Sequence, residues 1–262
     1  MHPVLPPPAY LISDIHLGVA APSVERQLLE FLRHLKGRAS SLLINGDLFD
    51  FWFEWRTVIP RAGFRVLAEL GNLVDSGCPV VLIAGNHDCW GGDVLRKDVG
   101  LTYHVGPWTG ELGGWRTRIE HGDGLRVVED KRYRMLRRVL RHPASIAAFR
   151  HVHPDWGARV ASGSSKASRV HRARDGGAGL RSIALEALAA AGDVDLVVYG
   201  HSHVAALERA PQGGVYANAG SWLDAPTYLR LTPDRIELRE WNGSTEGDSL
   251  NAVDRSAKKT LP

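Results

Sequence analysis

Short, uninterrupted apolar runs recur along this chain, and four of them end within three residues of a side chain able to bind a cation. Tyr10-Leu11-Ile12 leads to Asp14, Leu42-Leu43-Ile44 to Asp47, Val80-Val81-Leu82-Ile83 to Asn86, and Leu196-Val197-Val198-Tyr199 to His201. Runs of three or four apolar residues without polar alternation predict strands buried on both faces. Strands are predicted at about 10–13, 41–45, 80–84, 101–104, 116–120, 195–199, 214–218, 227–231 and 235–241. Leu28, Leu29, Leu32 and Leu35 instead follow the i, i+3, i+4 stripe of an amphipathic helix, predicting one over about Ser23–Leu35 with Ser23 as N-cap. A second helix is predicted over about Arg61–Ser76, stopped by Gly77 and Pro79. Strand and helix alternate first and short strands dominate later, which predicts a layered α/β sandwich in preference to one parallel sheet.

Two segments break this pattern. Residues 124 to about 178 separate two of the ligand-bearing groups and read as a helical lid inserted in a domain spanning 9–242. The lid closes on a Gly/Ser/Arg-rich stretch, Ser162–Gly179, read as a mobile loop. The polar tail 243–262 has little to bury and is expected to be disordered. A length of 262 residues suits one α/β domain with an insertion. The charge of +3 and pI of 9.0 do not by themselves point to nucleic acid. With only Cys78 and Cys89 there is no disulfide framework, and a reducing cytoplasm is expected. Met1–Pro8 lacks the layout of a signal peptide, and no apolar stretch reaches the length of a membrane span.

The chemistry lies in five ordered groups: Asp14-Ile15-His16, Gly46-Asp47, Gly85-Asn86-His87-Asp88, His121-Gly122-Asp123 and Gly200-His201-Ser202-His203. Strands that each deliver a carboxylate, amide or imidazole at their C-terminal ends build one cleft at a sheet edge. Oxygen and imidazole donors in this number suit two divalent cations. On an extended or turn backbone, His201 and His203 point to the same side, where a helix would splay them. The ordered pattern resembles the calcineurin-like metallophosphoesterases, and it covers most of the chain. The resemblance implies two mixed β-sheets flanked by helices. It also implies one cation held by Asp14, His16, Asp47 and His203 and a second by Asp47, Asn86, His121 and His201. Manganese is the expected ion; iron, cobalt and zinc suit the same donors. In such enzymes His87 would protonate the leaving oxygen or stabilise charge on it. Asp88 would orient the His87 imidazole, and Asp50 and Asp123 would support the ligands from behind.

The lid indicates the substrate. Lys131, Arg134, Arg138 and Arg141 form a basic stripe at helical spacing, beside an apolar stripe of Met135, Leu136, Val139 and Leu140. A basic amphipathic helix next to a phosphate-cleaving cleft suits an anionic amphiphile or a membrane surface, and equally a solvated charged face. The lid position, Asp130 and Tyr133 after His-Gly-Asp, Ser164-Ser165-Lys166 and Gly46-Asp47-Leu48-Phe49-Asp50 look like the UDP-2,3-diacylglucosamine pyrophosphohydrolases of lipid A synthesis. That resemblance implies a nucleotide-linked lipid substrate, split into UMP and a diacylglucosamine 1-phosphate on the cytoplasmic face of the membrane. It implies substrate contacts from Asn86, Asp130, Lys166 and His201. Those enzymes carry arginine where this chain has His87, which leaves open another phosphodiester or phosphomonoester substrate. Nucleic acid is disfavoured, because the basic cluster is confined to one helix and its following loop. Phe49, Phe51, Trp52, Phe53 and Trp55, with Trp90, line either a ligand pocket or the core.

Overall fold

In the computed structural model, residues 2–159, 175–190, 192–243 and 245–255 are described. Two mixed sheets form the frame. The seven-stranded sheet has the order β13-β12-β11-β2-β3-β4-β5, and the six-stranded sheet β1-β6-β7-β8-β10-β9. In chain order the strands are β1 (Val4–Leu5), β2 (Ala9–Ile12), β3 (Ser41–Asn45), β4 (Val80–Ile83), β5 (Thr102–His104), β6 (Trp108–Leu112), β7 (Trp115–Ile119), β8 (Leu196–Val198), β9 (Ala206–Arg209), β10 (Val215–Asn218), β11 (Thr227–Thr232), β12 (Arg235–Glu240) and β13 (Asp248–Asp254). The main helices among the described residues are α1 (Pro22–Leu35), α2 (Phe64–Asp75), α3 (Lys131–Leu140), α4 (Pro143–Phe149) and α5 (Ala178–Ala190). Strands β2 to β5 run parallel, while β11 to β13 are antiparallel.

The unbroken apolar runs have a direct structural reason: both faces of each strand are covered. Leu11, Leu43, Val81 and Ile83 face inward between the sheets, against Trp108, Leu112, Trp115, Ile119, Leu196 and Val198. Their neighbours Tyr10, Ile12, Leu42, Ile44 and Leu82 turn to the opposite face and pack under α1 and α2, on Leu28, Phe31, Leu32, Leu35, Leu70 and Leu73. Leu180, Ala184 and Leu188 of α5 cover the far face of the six-stranded sheet, meeting Val197, Tyr199 and Tyr216. Period-two alternation between two apolar layers therefore reads in sequence as no alternation at all.

Several boundaries move for local reasons. Helix α1 starts with Pro22 in its first turn and Ala21 as an extended N-cap, with no side-chain cap from Ser23; proline's fixed φ and missing N–H suit that position. Helix α2 starts at Phe64 because Gly63, at φ 73°, turns the chain. Strands β1, β6 and β9 and helix α5 carried no clear sequence signal. The tail is a correction: residues 248–254, expected to be disordered, form the edge strand β13 along the length of β12. Backbone pairing needs no apolar side chains, and Asn251 Nδ2 ties this strand to Leu207 O at 2.8 Å. The centre of the inter-sheet core is sensitive to volume. Leu11 is fully buried there, and Leu11→Ala is expected to cost about 2–5 kcal/mol. A lower denaturation midpoint with unchanged slope checks this.

Candidate metal centre

The C-terminal ends of β2, β3 and β4 meet those of β7 and β8, and the loops leaving them carry the candidate ligands. Three hydrogen bonds join the two sheets here: Asn45 Nδ2 to Glu120 O at 3.2 Å, His121 Nδ1 to Asn45 O at 2.9 Å, and His201 N to Asp14 Oδ1 at 3.2 Å. Among the described residues, the non-glycine residues with positive φ are Asp14, His16, Asp47, His201 and His203, at 52–61°. Each of them is a candidate ligand. Left-handed backbone costs roughly 1–2 kcal/mol per residue, so such strain is kept only where surrounding contacts enforce it. It turns each side chain back toward the cleft instead of letting the strand run on. The Gly-His-Ser-His segment is a turn of this kind, not a helix.

These side chains converge in three overlapping groups, each with its potential ligand atoms within 4.8 Å of one another: Asp14/His16/His203, His16/Asp47/His87 and Asp47/His121/His201. Asp47 Oδ2 lies 3.1 Å from His121 Nε2 and 3.9 Å from His16 Nε2. His203 Nε2 lies 3.3 Å from Asp14 Oδ1 and 3.3 Å from His16 Nε2. Asn86 Oδ1 is buried without a hydrogen-bond partner. An unpaired buried amide oxygen is costly in a plain core, and carboxylate and imidazole ligand atoms gathered this closely fit a site for divalent cations. Two glycines make the convergence possible. A Cβ on Gly85 would stand 2.1 Å from Asp47 Oδ1, and one on Gly46 would stand 2.4 Å from His121 Nδ1.

The supporting contacts differ in part from expectation. His121 Nδ1 donates to Asn45 O, which turns Nε2 to the cluster. His87 Nδ1 donates to Asp50 O at 2.8 Å, leaving its Nε2 3.9 Å from Asp47 Oδ2. Asp88 therefore does not orient His87. Its carboxylate accepts from Leu48 N and Gly85 N, both at 2.8 Å, and clamps the β3 and β4 loops together. Asp50 Oδ1 stands 3.7 Å from His16 Nδ1. Ser221 Oγ donates to Asp14 O at 2.8 Å, and Asn218 Nδ2 to Gly200 O at 3.1 Å; both support the cluster from outside the five ordered groups. Asp130 lies outside the three groups, paired with Arg126 at 3.0 Å. Lys166 falls outside the described residues.

The aromatic run divides. Phe49 and Trp52 stack in the core with ring centres 4.4 Å apart. Phe51, Phe53 and Trp55 instead pack on Phe149 of the lid. Helix α3 turns Arg134, Arg137 and, just past its end, Arg141 inward. Arg137 Nη1 donates to Asp123 O at 2.7 Å, and Tyr133 Oη to Asp123 Oδ2 at 2.6 Å. Met135 and Val139 face solvent.

Burial would raise the pKa of Asp47, but the charges of His121, His87 and His16 outweigh it and hold the carboxyl well below its usual range. Burial also opposes the ionisation of Asp14, which His203 and His121 nevertheless keep low. Burial would lower His121, and Asp47 and Asp14 instead hold its imidazole well above the ordinary value. Asp88 is pushed up to about 6 by burial and then by Asp47. Without cations, the cluster is an Asp47–His121 ion pair.

That pair sets the pH behaviour. The raised His121 pKa contributes stability fully below the ordinary histidine value of 6.5, lost as pH climbs through the raised value. The lowered Asp47 pKa contributes above the ordinary value of 3.8, lost as pH falls through the depressed one. Chelator-treated protein is thus expected to be most stable between these two ordinary values. Cation loading must displace the His121 proton. Affinity for Mn²⁺ should therefore rise with pH, and calorimetry at pH 6 in buffers of different ionisation enthalpy should record proton release. Release near zero would contradict the ion pair.

The sequence profile of the calcineurin-like phosphoesterases matches residues 7–205. The chain is 38% identical over 164 residues to the UDP-2,3-diacylglucosamine hydrolase of Porphyromonas gingivalis W83, covering 61% of this chain and 63% of that protein. It is 31% identical over 235 residues to the protein of the same name from Stenotrophomonas maltophilia K279a, covering 84% of this chain and 93% of that one. It also superposes on a conserved protein of Streptococcus pneumoniae TIGR4 with a TM-score of 0.44, at 15% identity and over 94% of this chain and 97% of that one. With the profile spanning most of its length over the five loops that carry the candidate ligands, this chain belongs to the calcineurin-like phosphoesterase family.

Proposed function

We propose that this protein is a dimetal hydrolase that cleaves UDP-2,3-diacylglucosamine to UMP and 2,3-diacylglucosamine 1-phosphate. The observation that carries the reading is the position of Asp47, whose carboxylate belongs to two of the three potential ligand groups. The names of the relatives from P. gingivalis and S. maltophilia support the substrate. In this reading Asp14, His16, Asp47 and His203 hold one cation, and Asp47, Asn86, His121 and His201 the other. Two divalent cations, manganese being proposed, would clamp the phosphoryl oxygens and make a bound water nucleophilic near neutral pH. His87, held by Asp50 O, directs Nε2 at the cleft; there it hydrogen-bonds the leaving phosphate oxygen as charge develops. Asn86 and His201 border the bound phosphoryl group, and Asp88 fixes the loops that carry Asp47 and Asn86. Asp130 and Lys166 contact the sugar and phosphate.

The lid supports a membrane-bound amphiphile as substrate. Val127, Val128, Met135, Leu136 and Val139 are exposed, on the side of the lid away from the cluster, with Lys131 and Arg132 beside them. Among the described residues no helix is long and apolar enough to cross a membrane. In this reading the exposed apolar face, flanked by basic residues, rests on the cytoplasmic side of the membrane surface.

Manganese-loaded protein given UDP-2,3-diacylglucosamine should release UMP. Turnover of aryl phosphodiesters without UMP release would select a different phosphoester as substrate. Asp47→Ala is expected to abolish cation retention and turnover together. His87→Ala should retain both cations and slow turnover by about 10²–10⁴; elemental analysis beside the kinetics separates the two. Met135→Glu with Val139→Glu should reduce co-sedimentation with vesicles containing anionic lipid, and unchanged sedimentation would make that face structural.

A further inference from the structure

The inner face of the lid carries a second concentration of charge. Arg134, Arg137, Arg138 and Arg141 fall at i, i+3, i+4 and i+7, one side of a helix. With Gly124 and Leu125 they line a cavity of about 470 Å³, within the range of small-ligand sites. Arg134 Nη1 donates to Gly124 O at 3.2 Å, and Arg141 Nη2 to Gly85 O at 3.2 Å. Asp123 Oδ2 lies 3.3 Å from Arg141 and 3.4 Å from Arg137. Among the described residues no carboxylate lies within 4 Å of Arg134 or Arg138. Arg137 and Arg141 thus share one carboxylate, which can neutralise only one of them, and Arg134 and Arg138 beside them add two further positive charges. Like charges gathered on one helix face repel, so the arrangement stores an unmet demand for negative charge.

We propose that this cavity binds a phosphate-class dianion at a subsite outside the cation cluster. The forked guanidinium donors match tetrahedral phosphate oxygens and can bind them in bidentate fashion. The subsite adjoins the reaction centre through two short links. Arg141 bonds the carbonyl of Gly85, one residue before Asn86, and Asp123 lies two residues after His121. The phosphate has two possible sources: the substrate phosphoryl group not held at the cations, which rests on the function proposed above, or free phosphate acting from outside the reaction.

Calorimetric titration of inorganic phosphate into cation-stripped full-length protein at low ionic strength tests the subsite independently of turnover. Without cations, Asp14 and Asp47 repel anions from the main cluster, so binding reports on the arginines. Wild-type protein should bind, and Arg138→Gln and Arg134→Gln should each weaken binding at least tenfold, with circular dichroism verifying the fold. Arg65→Gln, an equal loss of charge on exposed α2, should leave it unchanged. No binding by wild type, or equal weakening by Arg65→Gln, overturns the proposal. Kinetics then distinguish the sources. A rise in KM at least tenfold larger for a diphosphate diester than for an aryl phosphodiester identifies the substrate's own phosphoryl group. Equal changes in KM, with added phosphate altering wild-type but not variant turnover, identify free phosphate.

Discussion

The structure depends on one constraint: Asp47 must reach two groups of ligand-type side chains that come from different sheets. Its Oδ2 stands 3.1 Å from His121, on the loop after β7, and 3.9 Å from His16, on the loop after β2. That placement requires the strand ends to lie edge to edge, and it requires sharp turns straight after each strand. Five left-handed non-glycine residues supply the turns. Together they cost on the order of 5–10 kcal/mol, comparable to the whole net stability of a domain. Strain of that size persists only on a rigid support.

The two cores supply the support. The inter-sheet layer fixes Leu11, Leu43, Val81 and Ile83, and the helical layer fixes the alternate residues of the same strands. The ligand-bearing loops begin one to three residues beyond these anchors. Hydrogen bonds from buried polar side chains do the rest. Asp88 joins the β3 and β4 loops, Ser221 holds the backbone of Asp14, and Asn45 orients His121. The cluster geometry depends on these groups. The electrostatics follow from the same crowding: buried carboxylates and imidazoles set one another's charge, and Asp88, next to Asp47 and held by amides, is the carboxyl driven upward.

The lid reverses the usual arrangement of an amphipathic helix. Arg134, Arg137 and Arg141 face the protein, while Met135, Leu136 and Val139 face out. A helix packed on a core would bury Met135 and Val139 and expose Arg137 and Arg141. The inversion is stable because Asp123 and the carbonyls of Gly85 and Gly124 accept from the guanidinium groups. One element thereby presents positive charge to Asp123 and the Gly85 loop and an apolar surface to the exterior.

Sequence by itself determined the buried parallel strands, since only strands covered on both faces keep unbroken apolar runs, and it determined the ordered ligand types, since cation chemistry restricts them to a few residues. It could not determine β13 or β6, whose pairing is a matter of backbone hydrogen bonds and leaves little mark on side-chain pattern. The left-handed turns were equally illegible, because Asp and His at those positions are dictated by convergence of distant strands and not by local propensity. Tertiary structure alone decided that Asp50, through its main-chain oxygen, holds His87, that Asp88 clamps two loops, and that Arg134, Arg137 and Arg141 turn inward. The first two outcomes depend on atoms that meet across 37 and 40 positions, the third on meetings across 10 to 56, and periodicity within a helix or strand carries no information about such meetings.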